Sequence, residues 1–251
     1  AVIAHPLPVI LFSAGLTACG LYAASKVEVN DSRISHFRSS ERIYQAATAF
    51  DRVMDGTLYL DVVIATDQPE ALYRPENLAR IEKLQRFLES LPHIRGTLSL
   101  VDYMKFMNRA MTNDDASAFV LPDSEDLIAQ YALLYSMGES NVLAHVVDNS
   151  YKTTIVRALC NSGLFSDAKM IRDECDRYLR EEFDAPGISA HLSGRLNVDF
   201  EWMRHLESSH FLGALIALLT VWIMTAIGFR TWVAGVYCVV PVLATLVAVY
   251  A

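Results

Sequence analysis

Charge is missing from both ends of this 251-residue sequence. No Asp, Glu, Lys or Arg precedes Lys26, and Arg230 is the only one after Glu207. Residues 26–207 thus hold all 29 acids and 20 of the 21 lysines and arginines, for a net charge of −9. That distribution excludes a uniformly soluble globule and a disordered chain. It also excludes a basic nucleic-acid binder, because an acidic middle as a whole repels phosphate backbones and anionic headgroups.

Cysteine is scarce and spread out. Four residues, Cys19, Cys160, Cys175 and Cys238, do not make a disulfide framework. Cys19 and Cys238 fall in apolar runs. Cys160, at the end of a predicted strand, and Cys175, inside a predicted helix, fall in the charged middle. A bridge between them is chemically open there, and two buried free thiols is the favoured reading. With no CxxC and no Cys/His ligand set, no metal is expected.

The common catalytic signatures are absent too. There is no GxxxxGK followed by Ser or Thr, no GxSxG and no HExxH. Residues 163–166 (GLFS) come nearest to a nucleophile turn and lack the second glycine. His205 and His210, with Glu207 between them, stand five apart, which does not align two imidazoles on one helix face. They read as part of a polar, membrane-proximal helix. Asp173, Glu174, Cys175 and Asp176 read as a solvated helix face rather than a cation site. Asn30, Asp31 and Ser32 fit a glycosylation sequon. No catalytic, cofactor-binding or metal residue is assigned, no cofactor is expected, and the chain is not read as an enzyme.

What is present is apolar length. Residues 6–25, 211–229 and 232–251 are runs without an acidic or basic residue, and about 20 helical residues span the roughly 30 Å hydrocarbon core. An apolar residue favours insertion by only about 0.3–0.6 kcal/mol, whereas a central charge costs about 2.5–3.5 kcal/mol. The lack of charge therefore weighs more than any one leucine. Three transmembrane helices are predicted, in residues 1–25, 208–229 and 232–251. Residues 16–20 (LTACG) also resemble a lipoprotein signal, but no Lys or Arg precedes the run and two further spans follow. Arg230, in the short link before Trp232, places that link in the cytoplasm and the large middle domain outside. The first residue is not Met and the last run lacks a polar flank, so the chain is expected to be part of a longer polypeptide.

Between Phe211 and Ala251 no acid or base is available for a proton relay except Arg230 in the link. Pro241 is a candidate kink, and Gly213, Gly228 and Gly235 are candidate points of close helix approach. Phe211, Trp222 and Phe229 are expected to pack or to face lipid, and no substrate-binding residue is named.

The middle reads as alternating strands and helices. Ile43, Ala47, Phe50 and Met54 recur at helical spacing, and residues 57–64 (TLYLDVVI) read as a strand after the Asp55–Gly56 turn. Pro75 opens a helix striped by Leu78, Ile81, Leu84, Leu88 and Leu91, and residues 96–101 read as a strand. A short strand is expected near residues 27–29. A second round follows: a helix over 101–110, a loop at Asn113 to Asp115, and a helix from Ser124 with Leu127, Tyr131, Leu134 and Tyr135 inward. Strands are expected at 142–147 and 151–160, then a helix capped by Ser166, then a strand at 188–192. From Val198 the chain reads as helix into the second span. This order predicts an α+β membrane protein with two ferredoxin-like, split βαβ modules, residues 26–100 and 101–207, inserted between the first two transmembrane helices.

One helix, a large outer αβ domain and closely spaced helices resemble the N-terminal half of an RND-superfamily transporter. The carrying stretches are residues 27–31 (VEVND), Phe37, the helix running into Asp55–Gly56, residues 97–107 (TLSLVDYMKFM), 129–138 (AQYALLYSMG), 191–200 (HLSGRLNVDF) and 228–232 (GFRTW). The compact outer domain is similar to the MMPL-type branch of exporters. That resemblance implies a multi-pass protein of the bacterial inner membrane with a periplasmic porter domain. It implies proton-driven export of lipids or other hydrophobic molecules, with relay acids in a part of the polypeptide beyond Ala251. Expected partners are the membrane, a hydrophobic or lipid substrate, the rest of the polypeptide, and a second copy or a periplasmic protein.

Two other classes share the layout. A membrane-anchored sensor or binding domain has helix, outer domain, helix, but a third span two residues later argues against it. A permease of a mechanotransmission ABC system also carries an outer domain, but Arg230 and Thr231 are too short for a coupling helix.

Overall fold

The computed structural model describes Gly15, Ala18, Cys19, Tyr22 and residues 33–53, 56, 58–138 and 142–250. The chain divides into two compact units, residues 30–202 and residues 1–29 with 203–251.

In the first unit, helix α1 (Arg42–Val53) precedes strand β1 (Leu58–Thr66). Helix α2 (Pro75–Ser90) follows, with Pro75 in its first turn, where a missing N–H costs no hydrogen bond. Its stripe of Leu78, Ile81, Leu84 and Leu88 is fully buried, as the 3.6-residue period requires. Then come β2 (Ile94–Leu98), α3 (Leu100–Met111), α4 (Glu125–Ser136), β3 (Thr153–Cys160), α5 (Phe165–Tyr178) and β4 (Ile188–Ser193).

The strands form one antiparallel sheet in the order β2-β3-β1-β4. β1 and β2 are both antiparallel to the strand between them, so β1-α2-β2 is a βαβ unit split by β3. The side-chain alternation of strands sends Leu60, Val62 and Ile64 of β1, and Val156, Ala158 and Cys160 of β3, to one face. They share one core with the α2 stripe and with Ala168, Ile171 and Cys175 of α5. Phe87 of α2 stacks on Tyr178 of α5 at 4.1 Å, closing the helix layer over that core. Tyr59, Val63, Ile155, Arg157 and Leu159 lie on the other face and are half-buried.

The sheet runs across the expected division at residue 100. β1 and β2 precede that point, β3 and β4 follow it, and all four pair together. Among the described residues each side of that point contributes two strands, too few to bury a core alone, and interleaving them completes one sheet. Two strand ends also differ. The strand expected to reach Val101 stops at Leu98, because Ser99 caps α3 in a capping box with Asp102. The strand expected over 142–147 is a 3₁₀ turn, Val142–His145, with Val147 alone bridging to Thr154. The Val146 carbonyl already accepts from Ile155 N at 2.9 Å and Thr154 Oγ1 at 2.7 Å, which closes the chain back on β3. The strand expected near residues 27–29 lies outside the described residues.

After α5, a π turn over Leu179–Phe183 leads to β4. β4 turns at Gly194 into α6, a helix of 36 residues, Gly194–Phe229. Gly194 has φ +85°, and a Cβ there would lie 2.6 Å from Asp61 N, so only glycine fits this strand-to-helix corner. The start of α6 is fixed on α5: Leu196 and Phe200 are buried, Phe165 stacks on Phe200 at 5.0 Å, and Arg172 pairs with Glu201 at 2.8 Å.

In the other unit, Leu212–Phe229 is long and apolar enough to cross a membrane and is the single such segment among the described residues. Helix α7 (Trp232–Tyr250) follows after a tight turn closed by Arg230 N to Ile227 O, at 3.2 Å, and Thr231 N to Ala226 O, at 3.1 Å. Thr220 and Thr225 donate to the carbonyls of Ile216 and Val221, and Thr245 to that of Pro241. Each of these hydroxyls is satisfied within its own helix, as an apolar surrounding demands. The expected first span, residues 6–25, lies almost wholly outside the described residues.

Candidate functional site

The larger described cleft, about 690 Å³, opens between α2, α3 and the segment 119–123. Its floor is a polar network where the α2 stripe carries Gln85 in place of a leucine. Gln85 is 5% exposed and Ser99 is fully buried. Gln85 Oε1 accepts from Ser99 Oγ at 2.8 Å, while its Nε2 donates to Asp102 Oδ2 at 2.8 Å and to Thr97 Oγ1 at 3.1 Å. Thr97 passes the chain to Glu89 Oε1 at 2.6 Å. Every amide atom of Gln85 is therefore used, and the network joins α2 to the cap of α3.

The rim is charged. Lys105 Nζ lies 2.5 Å from Glu82 Oε1, and Arg86 Nη2 lies 2.8 Å from the same oxygen. Partial burial pushes the Glu82 carboxyl up, but the hydrogen bonds from Lys105 and Arg86 outweigh it and hold it below the ordinary carboxylate range. Lys105 also lies 5.7 Å from the ring centre of Phe119. The cleft presents a satisfied cation–anion cluster beside Phe119, Val120 and Leu121, which suits binding of an amphipathic molecule more than proton transfer. Sequence reading missed this cleft. Its one legible signal was a glutamine at a core position of the α2 stripe.

A smaller groove of about 260 Å³ lies between Tyr73, Leu133, Leu143, Val147 and Tyr151. The Tyr73 and Tyr151 rings stand 4.7 Å apart. Burial, then the neighbouring Tyr151 and Glu70, push the Tyr73 hydroxyl up to about 12. Beside the groove, Leu133, Leu134 and Met137 are exposed. Leu134 was expected inward; the inward face is Ile128, Tyr131 and Ala132, because Tyr131 reaches Asn108 and Tyr135 reaches the Tyr103 carbonyl.

The residues weighed in the sequence fall as follows. Cys160 and Cys175 are buried thiols, Cys160 donating to the Ser162 carbonyl at 3.3 Å, and none of the four cysteines is in a disulfide. Burial, with Asp176 and Glu174 beside it, pushes the Cys175 thiol up to about 12. The acidic run around Cys175 is an ion-paired helix face: Asp173 with Lys169, Asp176 with Arg172 and Glu174 with Arg177. Ser166 does not cap α5. Leu164 occupies the cap position, and Ser162 Oγ instead bonds Asp167 Oδ2 at 2.5 Å. His205 is exposed, whereas the side chains of Glu207 and His210 lie outside the described residues, as do those of Phe211 and the Asn30 sequon. Among the described residues no three His, Cys, Asp or Glu side chains gather as a metal site.

Of the apolar-helix residues, Trp222 packs on Trp232 with ring centres 5.2 Å apart, and Phe229 is exposed. Gly235 is the point of close approach: a Cβ there would stand 2.6 Å from Trp222 Cδ1. Gly213 and Gly228 face open space instead.

Compared with known proteins, the chain matches no family model and no curated protein.

Proposed function

We propose that this chain is the N-terminal part of a proton-driven transporter of the RND superfamily, of the MMPL type, that exports lipids or other hydrophobic molecules across or out of the bacterial inner membrane. The observation that carries the reading is one of order. The sheet that holds the split βαβ unit is completed by β4, which turns at Gly194 into a helix containing an apolar span, and a second apolar helix begins at Trp232. Residues 26–100 and 101–207 would both build the porter region, on the periplasmic side, with their strands shared in one sheet. Helix α6 would carry displacement between that region and the bilayer. Neither α7 nor the span Leu212–Phe229 contains an acid or base, so the relay would come from other helices of the polypeptide. Trp222 packs on Trp232 within the helix pair, and exposed residues such as Leu212, Ile216 and Leu219 would face lipid.

The test is reconstitution of the full-length polypeptide in vesicles holding a fluorescent lipid. An imposed pH gradient should drive lipid movement, and a protonophore should abolish it. Movement that ignores the gradient but needs ATP would point to an ABC permease. No movement under either condition, with ligand binding retained by residues 30–202, would leave a sensor or binding domain.

A further inference from the structure

Helix α1 turns an apolar stripe to the outside. Ile43, Ala46, Phe50 and Val53 are spaced by three, four and three residues, which puts them on one helix face. All four are exposed, Ile43 at 52%, Phe50 at 50% and Val53 at 78%. The half-buried side of α1 holds Tyr44, Ala47 and Thr48 instead. Leaving such a stripe in water costs about 25 cal/mol for every Å² of apolar surface, so it calls for an apolar neighbour.

Charge says which neighbour. Residues 33–53 carry four arginines against two acids, a net charge of +2, in a chain whose net charge is −8. Arg38 and Arg42, both exposed, stand at the entry to the helix. An apolar stripe, a polar remainder and local positive charge are the composition of a helix that lies in a membrane interface. In sequence, α1 also follows soon after the apolar run 6–25.

We propose that α1 lies on an anionic bilayer surface, with Ile43, Ala46, Phe50 and Val53 at the acyl boundary and Arg38 and Arg42 at the phosphates. The inference rests on the reading of the chain as membrane-embedded and adds a lipid-contacting element to its αβ unit.

The test is a nitroxide placed in turn at Phe50→Cys, Val53→Cys and Gln45→Cys in the full chain, with Cys19→Ser and Cys238→Ser, in vesicles containing anionic phospholipid. Collision with oxygen against a soluble nickel chelate reads depth. The labels at positions 50 and 53 should sit roughly 5–10 Å below the phosphates, and the label at 45 should stay in water. Nickel access at 50 and 53 would overturn the inference. So would shielding from both reagents, which would mean that protein covers the stripe. A fourth label, at Leu215→Cys, separates the two readings. If it is oxygen-accessible while 50 and 53 are not, the surface helix fails alone; if it too meets nickel, the membrane reading fails with it.

Discussion

Arg157 holds Asp61 through two parallel hydrogen bonds, Nε to Oδ1 and Nη2 to Oδ2, each 2.8 Å long. The two residues face each other across the β1–β3 ladder, 96 positions apart in the chain. The guanidinium also lies 4.4 Å from the ring centre of Tyr59, so one side chain ties two neighbours on the half-buried face of the sheet.

The two halves of this pair are not equally exposed: the side chain of Asp61 is 12% accessible and that of Arg157 is 38%. Arg157→Leu strands a carboxylate with little water around it and should cost about 3 kcal/mol, the low end for an ion pair broken inside a protein. Asp61→Asn leaves a guanidinium that water still reaches and should cost about 1–2 kcal/mol. Urea denaturation of the purified variants measures both, and equal or reversed losses would refute the asymmetry.

The Glu82 cluster should contribute to stability in a pH-dependent way. Its carboxyl is held below the ordinary carboxylate range, so the folded protein binds that proton less readily than the unfolded chain. The contribution is therefore present above about pH 4.3, the unfolded value, and is lost as the pH falls through the lower folded value. Glu82→Gln should destabilise at neutral pH and converge with the parent protein in acid. A melting-temperature profile against pH that stays parallel for the two proteins would exclude this role.

Gly235 should be the intolerant glycine of the apolar helix pair. In Gly235→Ala the new Cβ would meet both Trp222 Cδ1, at 2.6 Å, and the Trp222 carbonyl oxygen, at 2.8 Å, so rotating the indole does not relieve it. The helices must part, at roughly 1–3 kcal/mol. Gly213→Ala and Gly228→Ala meet nothing within 4 Å and should be neutral or stabilising by up to about 1 kcal/mol. Thermal melts in detergent, with tryptophan emission reporting the Trp222–Trp232 pair, test the contrast.

Cys175 should resist alkylation. A thiol pushed up to about 12 is almost wholly protonated at pH 8, and the thiolate is the nucleophile. Peptide mapping after treatment of the folded protein at that pH should find Cys160 and Cys175 unmodified, with labelling only after denaturation. A peptide joining the two by a disulfide would contradict the thiol state of both. A thiol raised in the folded state favours folding below its unfolded value, and that contribution is lost as the pH rises toward 12.

The sequence by itself determined what depends on neighbours a few positions apart. The 3.6-residue stripe of α2, Pro75 at its start, Ser124 at the head of α4 and the charge-free run through Leu212–Phe229 are all local patterns, and each appears where the pattern put it. Ser99 and Asp102 were equally local. The serine with an acid three residues later competes with the β-prone Leu98 and Val101, and the cap ends the strand at Leu98.

Tertiary structure alone decided the pairing. Nothing in the order of elements says that β3 enters between β1 and β2, since that choice is made by burying Leu60, Val62 and Ile64 beside Val156 and Ala158 under two helices. A run such as 142–147 has strand propensity, but the edge it needed was already taken up by the turn back onto β3. The polar cleft follows from the same folding. Gln85, Ser99 and Asp102 meet only because α2 and the head of α3 close on one another, and no spacing in the sequence measures that approach.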